Sequence, residues 1–171
     1  MALVIEDGSG VGGANSYVSA ADYTAWATAR GYTVTATEAQ IEAAAILAMD
    51  YLQIAVCYQG DKVEDDQALE YPRSDVYIRG ALFADDAIPS QLKQAELFLI
   101  HASLSGVDLM PNSSGVASDY VIKEKVGPIE TTYADPTNIQ NQPTFTAVNK
   151  LLAVLLGDQC NAFGSFDVVR G

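Results

Sequence analysis

The chain has 171 residues, 49% of them hydrophobic, and sets 22 acidic against nine basic residues for a formal charge of -13. Length and apolar content suffice for one folded domain with a real core and exclude a disordered chain. The charge argues against tight nucleic-acid binding, which needs lysines and arginines to neutralise phosphates; the densest basic spot, Lys123 and Lys125, is split by Glu124.

Taken in chain order, Ala2 to Glu6 reads as a short strand or extended arm, ended by the glycine-rich Gly8 to Gly13. Ser19 is the expected cap of a first helix, with Asp22 three residues on to complete a capping box. That helix carries Tyr23 and Trp26 and stops at Gly31. Thr37 and Gln40 repeat the capping pattern. After them Ile41, Ala44, Ala45, Ala48, Leu52 and Ala55 recur at helical spacing, and the alanines allow close helix approach. Gly60 to Gln67 reads as an acidic loop. Val76 to Ile78 and Ala81 to Phe83, joined through Arg79-Gly80, read as a hairpin. Pro89 marks the start of a third helix with Leu92, Ala95, Leu99 and Ala102 inward. Gly106 to Ser118 reads as a loop, and Tyr120 to Val126 and Ile129 to Tyr133 as strands turned at Gly127-Pro128. A polar loop from Asp135 to Pro143 follows. A fourth helix runs from Thr144, with Phe145, Val148, Leu152 and Leu155 inward, and ends at Gly157.

The fold class that follows is mainly α: a four-helix bundle with one or two β-hairpin insertions and extended N- and C-terminal arms. One domain spans 1–171, with an arm at 1–18, a helical core at 19–157 and a C-terminal docking arm at 158–171. No signal peptide is expected, since Met1-Ala2-Leu3 lacks a basic start. The longest apolar stretch, Leu151 to Leu156, is too short to span a bilayer, so no membrane partner is expected.

Candidate chemistry is sparse. Gly8-Ser9-Gly10-Val11-Gly12-Gly13 matches G-x-G-x-x-G, but a dinucleotide site needs its helix to begin inside the motif. Here the helix waits until Ser19, and Glu6-Asp7 puts two negative charges beside the supposed phosphate, so a flexible arm is the better reading. His101, the single histidine, can build no multi-histidine metal site and reads as a boundary residue of the core. Asp61, Glu64, Asp65 and Asp66 lack the spacing of a calcium loop. Cys57 and Cys160 read as reduced, buried thiols. No cofactor, metal site, catalytic residue or enzymatic activity is expected. Tyr71-Pro72-Arg73 is either a local brace or a contact between subunits, Arg73 offering a planar fork to a carboxylate. The tail residues Phe163, Phe166, Val168 and Val169 have no helical period and need a surface to pack on, with Arg170 available to an acidic partner site.

Several blocks occur in order: Glu6-Asp7-Gly8-Ser9-Gly10, Ala14-Asn15-Ser16-Tyr17-Val18, Ala29-Arg30-Gly31, Gln67 to Arg73, and Lys123 to Ile129. With Ile88-Pro89 and the closing Leu151 to Leu156 they resemble, nearly end to end, the head–tail connector (adaptor) family of tailed phages, often labelled DnaT-like single-stranded DNA-binding proteins. The resemblance implies a bacteriophage structural neck protein in the virion, made in the host cytoplasm. It implies a dodecameric ring of identical subunits that contacts the portal protein and a downstream tail or nozzle protein, with DNA passing through its lumen unbound. Tyr71, Pro72, Arg73, Phe163, Phe166, Val168, Val169 and Arg170 are then the expected partner interface. The alternative function is a single-stranded DNA-binding replication protein, whose tyrosines could stack on bases but whose charge opposes a backbone groove.

Overall fold

The computed structural model describes residues 2–54, 56–111, 123–126, 129–132 and 144–157. Its elements are α1 (Ala20–Ala29), α2 (Glu38–Ile54), β1 (Asp61–Lys62), β2 (Arg73–Ser74), β3 (Tyr77–Ile78), β4 (Ala81–Leu82), α3 (Ser90–Leu104), β5 (Lys123–Val126), β6 (Ile129–Thr132) and α4 (Thr146–Leu152). The strands form three antiparallel pairs, so the architecture is a mixed helical fold with small hairpins. Where the sequence predicts one domain, the chain divides into two compact units, residues 1–109 with 145–171 and residues 110–144.

In the first unit α3 packs against each of the other three helices. Leu92, Ala95, Leu99 and Ile100 of α3 are buried against Ile41, Ala44, Ala45, Ala48, Met49 and Leu52 of α2, and Val148, Leu152 and Leu155 close the core from the α4 end. The predicted alanine stripe is the inner face of α2, where small side chains bring the two helix backbones together. Ala55, the last predicted member, lies outside the described residues. Both predicted capping boxes form. Ser19 Oγ accepts from the Asp22 N–H while Asp22 reaches back to the Ser19 N–H at 2.8 Å, and Gln40 Oε1 accepts from the Thr37 N–H at 2.8 Å. Pro89 stands one position earlier than predicted, as the N-cap of α3 with no side-chain bond of its own.

The predicted hairpin forms as β3 and β4, Tyr77 opposite Leu82, across a turn in which Arg79 and Gly80 both have positive φ, the two-residue geometry that matches strand twist. The acidic loop departs from expectation. Asp61 and Lys62 pair with Ser74 and Arg73 as β1 and β2, a ladder too short to leave a period in the sequence. Among the described residues no helix is long and apolar enough to cross a membrane.

The N-terminal segment is not a free arm. Ile5 bridges to Ser16, and the buried Glu6 carboxylate accepts the backbone N–H groups of Gly8 at 2.8 Å, Gly10 at 3.0 Å and Val11 at 2.7 Å. That tethering organises the glycine-rich loop from within; a phosphate there would meet a carboxylate already in place. Gly8, at φ 113°, has no room for a Cβ against the Asp86 carbonyl. Ser16, Tyr17 and Val18 are buried, and the fully buried Glu96 of α3 bonds Ser16 Oγ at 2.5 Å and the Tyr17 N–H at 3.1 Å. A buried carboxyl group at each end of this segment, that of Glu6 and that of Glu96, thus ties residues 2–18 into the core, which overturns the expected flexible arm.

In the second unit β5 and β6 pair with Val126 opposite Ile129 and Lys123 opposite Thr132, as predicted. The turn residues Gly127 and Pro128 lie outside the described residues.

Candidate nucleic-acid interface

The sequence of α1 places Tyr23, Trp26 and Arg30 at i, i+3 and i+7, one face of a helix. That face meets Phe98 and His101, one turn apart on α3. Trp26 packs edge-on against Phe98 at 5.0 Å between centroids and lies near-parallel to Tyr23 at 6.0 Å. The Tyr23 hydroxyl is 3.2 Å from His101 Nδ1, and burial raises the pKa of this phenol, so the neutral hydroxyl holds the imidazole in place.

Gly31 completes the surface. At φ 77° it lets α1 end in a Schellman turn, in which the Tyr32 N–H reaches the Ala27 carbonyl at 3.0 Å and the Gly31 N–H reaches Thr28 at 3.0 Å. The turn swings Tyr32 back over the end of the helix. Its ring stacks on His101 at 4.2 Å with 23° between planes, yet 43% of the residue remains exposed. Arg30, the C-cap, lays its guanidinium 4.3 Å from the Trp26 ring centroid and donates from Nη1 to the Trp26 carbonyl at 3.2 Å. Arg30 is exposed and has no carboxylate partner among the described residues. An exposed aromatic ring and an exposed guanidinium with no carboxylate partner among the described residues therefore stand two residues apart on a rigid aromatic base. That is the chemistry of a base-stacking and phosphate-contacting surface.

The sequence reading singled out Tyr23, Trp26 and the stop at Gly31, and treated His101 as a boundary histidine. It missed Arg30 and Tyr32 as a pair. The available signal was Trp26 and Arg30 at i, i+4, followed by Gly31 and an aromatic residue.

The other expected residues lie elsewhere. Tyr71 and Pro72 are fully buried, joined by a cis peptide bond, and the Tyr71 N–H donates to Tyr17 Oη at 3.0 Å. Tyr71 packs edge-on against Tyr58 at 5.3 Å. Arg73 donates to the Gln59 carbonyl at 2.9 Å and pairs with Glu70 at 2.7 Å, while Lys62 takes the other Glu70 oxygen at 3.1 Å. The three residues brace the β1–β2 ladder to the core, so Tyr71 and Pro72 present no side chain to a partner. Phe163, Phe166, Val168, Val169 and Arg170 lie outside the described residues. Cys57 is disulfide-bonded, not the expected reduced thiol, and the chain's other cysteine, Cys160, is outside the described residues. Among the described residues no three His, Cys, Asp or Glu side chains cluster to hold a metal ion.

No curated protein and no solved structure matches the chain. The expected role as a phage neck protein, with its connector, portal-binding and ring attributes, is corrected by the family comparison, which assigns the chain to a DNA-binding family instead. Over residues 1–171, its whole length, the chain matches the model of the family described as "Putative DnaT-like ssDNA binding protein", and it belongs to that family.

Proposed function

We propose that this chain binds single-stranded DNA at the surface formed by Tyr32, His101 and Arg30. The observation that carries the reading is the Tyr32 ring, stacked on His101 at 4.2 Å and still 43% exposed, in a member of a single-stranded DNA-binding family. A nucleobase offers a π-face to an exposed ring held in a fixed orientation, as Tyr32 is by His101. Arg30 supplies a donor set for the adjoining phosphate. The role is that of a binding protein and not an enzyme: it asks for a platform and a cation, with no nucleophile or general base.

Trp26 is the single tryptophan of the chain and lies under Arg30, so its fluorescence reports on this site alone. Titration of the purified protein with a short single-stranded oligonucleotide at low salt is expected to raise the anisotropy of a labelled strand and to change Trp26 emission along the same isotherm. No binding by any single strand overturns the proposal. Binding that leaves Trp26 unchanged moves the site elsewhere on the chain.

A further inference from the structure

We infer that this surface captures an unpaired base by stacking on Tyr32, with one phosphate on Arg30, and that the acidic body of the protein is what rejects duplex DNA. The inference rests on the single-stranded DNA reading and states which part of the strand is recognised.

Three observations carry it. Tyr32 is the one ring of the cluster that is largely exposed; Tyr23 and Trp26 beneath it are buried, so the platform offers a single stacking position. Arg30 spends one N–H on the Trp26 carbonyl, and a guanidinium has five, so donors remain for a phosphate. The rest of the molecule supplies little else for phosphates to meet, with nine basic residues against 22 acidic. Of the nine, Arg73 and Lys62 are engaged with Glu70. Affinity must then come from the base. A duplex hides its base faces in the stack and would offer this protein only phosphates, which its net charge repels. Specificity for single strands arises as much from that repulsion as from the stacking contact.

The predicted signature separates stacking from phosphate binding. A protein that neutralises one phosphate of a single strand has a salt slope near −0.7 in log K against log salt, whereas a basic groove has a slope several times steeper. The test uses the full chain and three labelled probes: an oligothymidylate, an abasic strand of equal phosphate number, and a duplex of the same length. Anisotropy is followed between about 50 and 200 mM NaCl. The oligothymidylate is expected to bind roughly tenfold or more tighter than the abasic strand, as stacking of one base predicts, with a slope near −0.7 and no duplex binding. Tyr32→Ala should bring the oligothymidylate down to the abasic level and leave the abasic strand unaffected. Tyr32→Trp should retain the difference, and Arg30→Gln should flatten the slope. Circular dichroism melting checks that each variant is folded.

Equal affinity for the oligothymidylate and the abasic strand, or a steep salt slope, overturns the stacking inference while leaving single-strand binding intact. Duplex binding as tight as single-strand binding overturns the role given to the acidic body. No binding by either strand overturns the functional reading itself.

Discussion

Glu96 lies fully buried on α3 with Ser16 and Tyr17 as its partners. Burial pushes its carboxyl pKa up to about 8, against the opposing pull of the Ser16 and Tyr17 hydrogen bonds and of Lys93; Asp22 adds to the rise. The Ser16 hydroxyl donates to one oxygen of the carboxyl at 2.5 Å and the Tyr17 N–H to the other at 3.1 Å, but burial outweighs both. Because the folded pKa is raised above the ordinary 4.5, the folded state holds a proton that the unfolded state releases. This contribution to stability is complete below the ordinary value and is lost as pH rises through about 8. The melting temperature of the wild type should therefore fall between about pH 5 and 9, and Glu96→Gln should flatten that decline; an unchanged slope in the variant would rule Glu96 out as its source. Tyr71 supplies a second residue-scale test. Its hydroxyl is buried without a hydrogen-bond partner among the described residues, and burial drives its pKa up to about 12. Tyr71→Phe should be neutral or stabilising by about 1 kcal/mol, since an unsatisfied buried hydroxyl carries a desolvation penalty. A loss of more than that in chemical denaturation would mean the hydroxyl has a bonded role.

At the level of elements, α1 is the device that builds the proposed interface, and both of its ends were legible in sequence. Ser19 with Asp22 sets where the helix begins, and hence which side chains share a face with Trp26. The Ser19 hydrogen bonds also hold the Asp22 carboxyl below its ordinary pKa, so this support is lost as pH falls through the lowered value. Ser19→Ala should lower stability by about 1 kcal/mol in denaturant titration, the usual worth of such a cap. At the other end, Gly31→Ala meets no steric obstacle but must adopt a positive φ. It should lower stability by about 1 kcal/mol. Because the Schellman turn aims Tyr32, the same substitution should weaken single-strand binding even at a temperature where the variant is fully folded. Unaltered affinity would show that Tyr32 finds its place without the turn. The strands were less legible. The β3–β4 hairpin announces itself through Arg79-Gly80, whereas β1 and β2 hold two residues each and are joined by the Glu70 bridges to Arg73 and Lys62, contacts no local pattern encodes.

For the molecule as a whole, the proposed binding of a single strand has to proceed against a formal charge of -13. A basic binding protein loses association rate with salt because its attraction is screened. Here the long-range interaction is repulsive, so screening should raise the association rate of a single strand between about 20 and 200 mM NaCl, while the loss of the phosphate contact appears in the dissociation rate. Stopped-flow anisotropy checks this, and a rate that falls steeply with salt would place a basic groove where the described residues show none. The sequence by itself determined that there are four helices, the capping boxes of α1 and α2, the alanine seam of α2 and the acidic surface, because these depend on neighbours within a few positions or on summed composition; it set the fourth helix too long, since α4 begins at Thr146 and stops at Leu152 where Thr144 and Gly157 were expected. Tertiary structure alone decided three things. It turned the glycine-rich segment from an arm into a loop anchored by Glu6 and Glu96. It put Tyr71 and Pro72 inside the core. It set Tyr32 on His101, residues 69 positions apart in the chain. Each of these includes a contact between residues distant in the chain, Ser16 with Glu96, Tyr17 with Tyr71 and Tyr32 with His101, and such contacts exist only once the core has packed and brought those side chains within hydrogen-bonding and stacking distance.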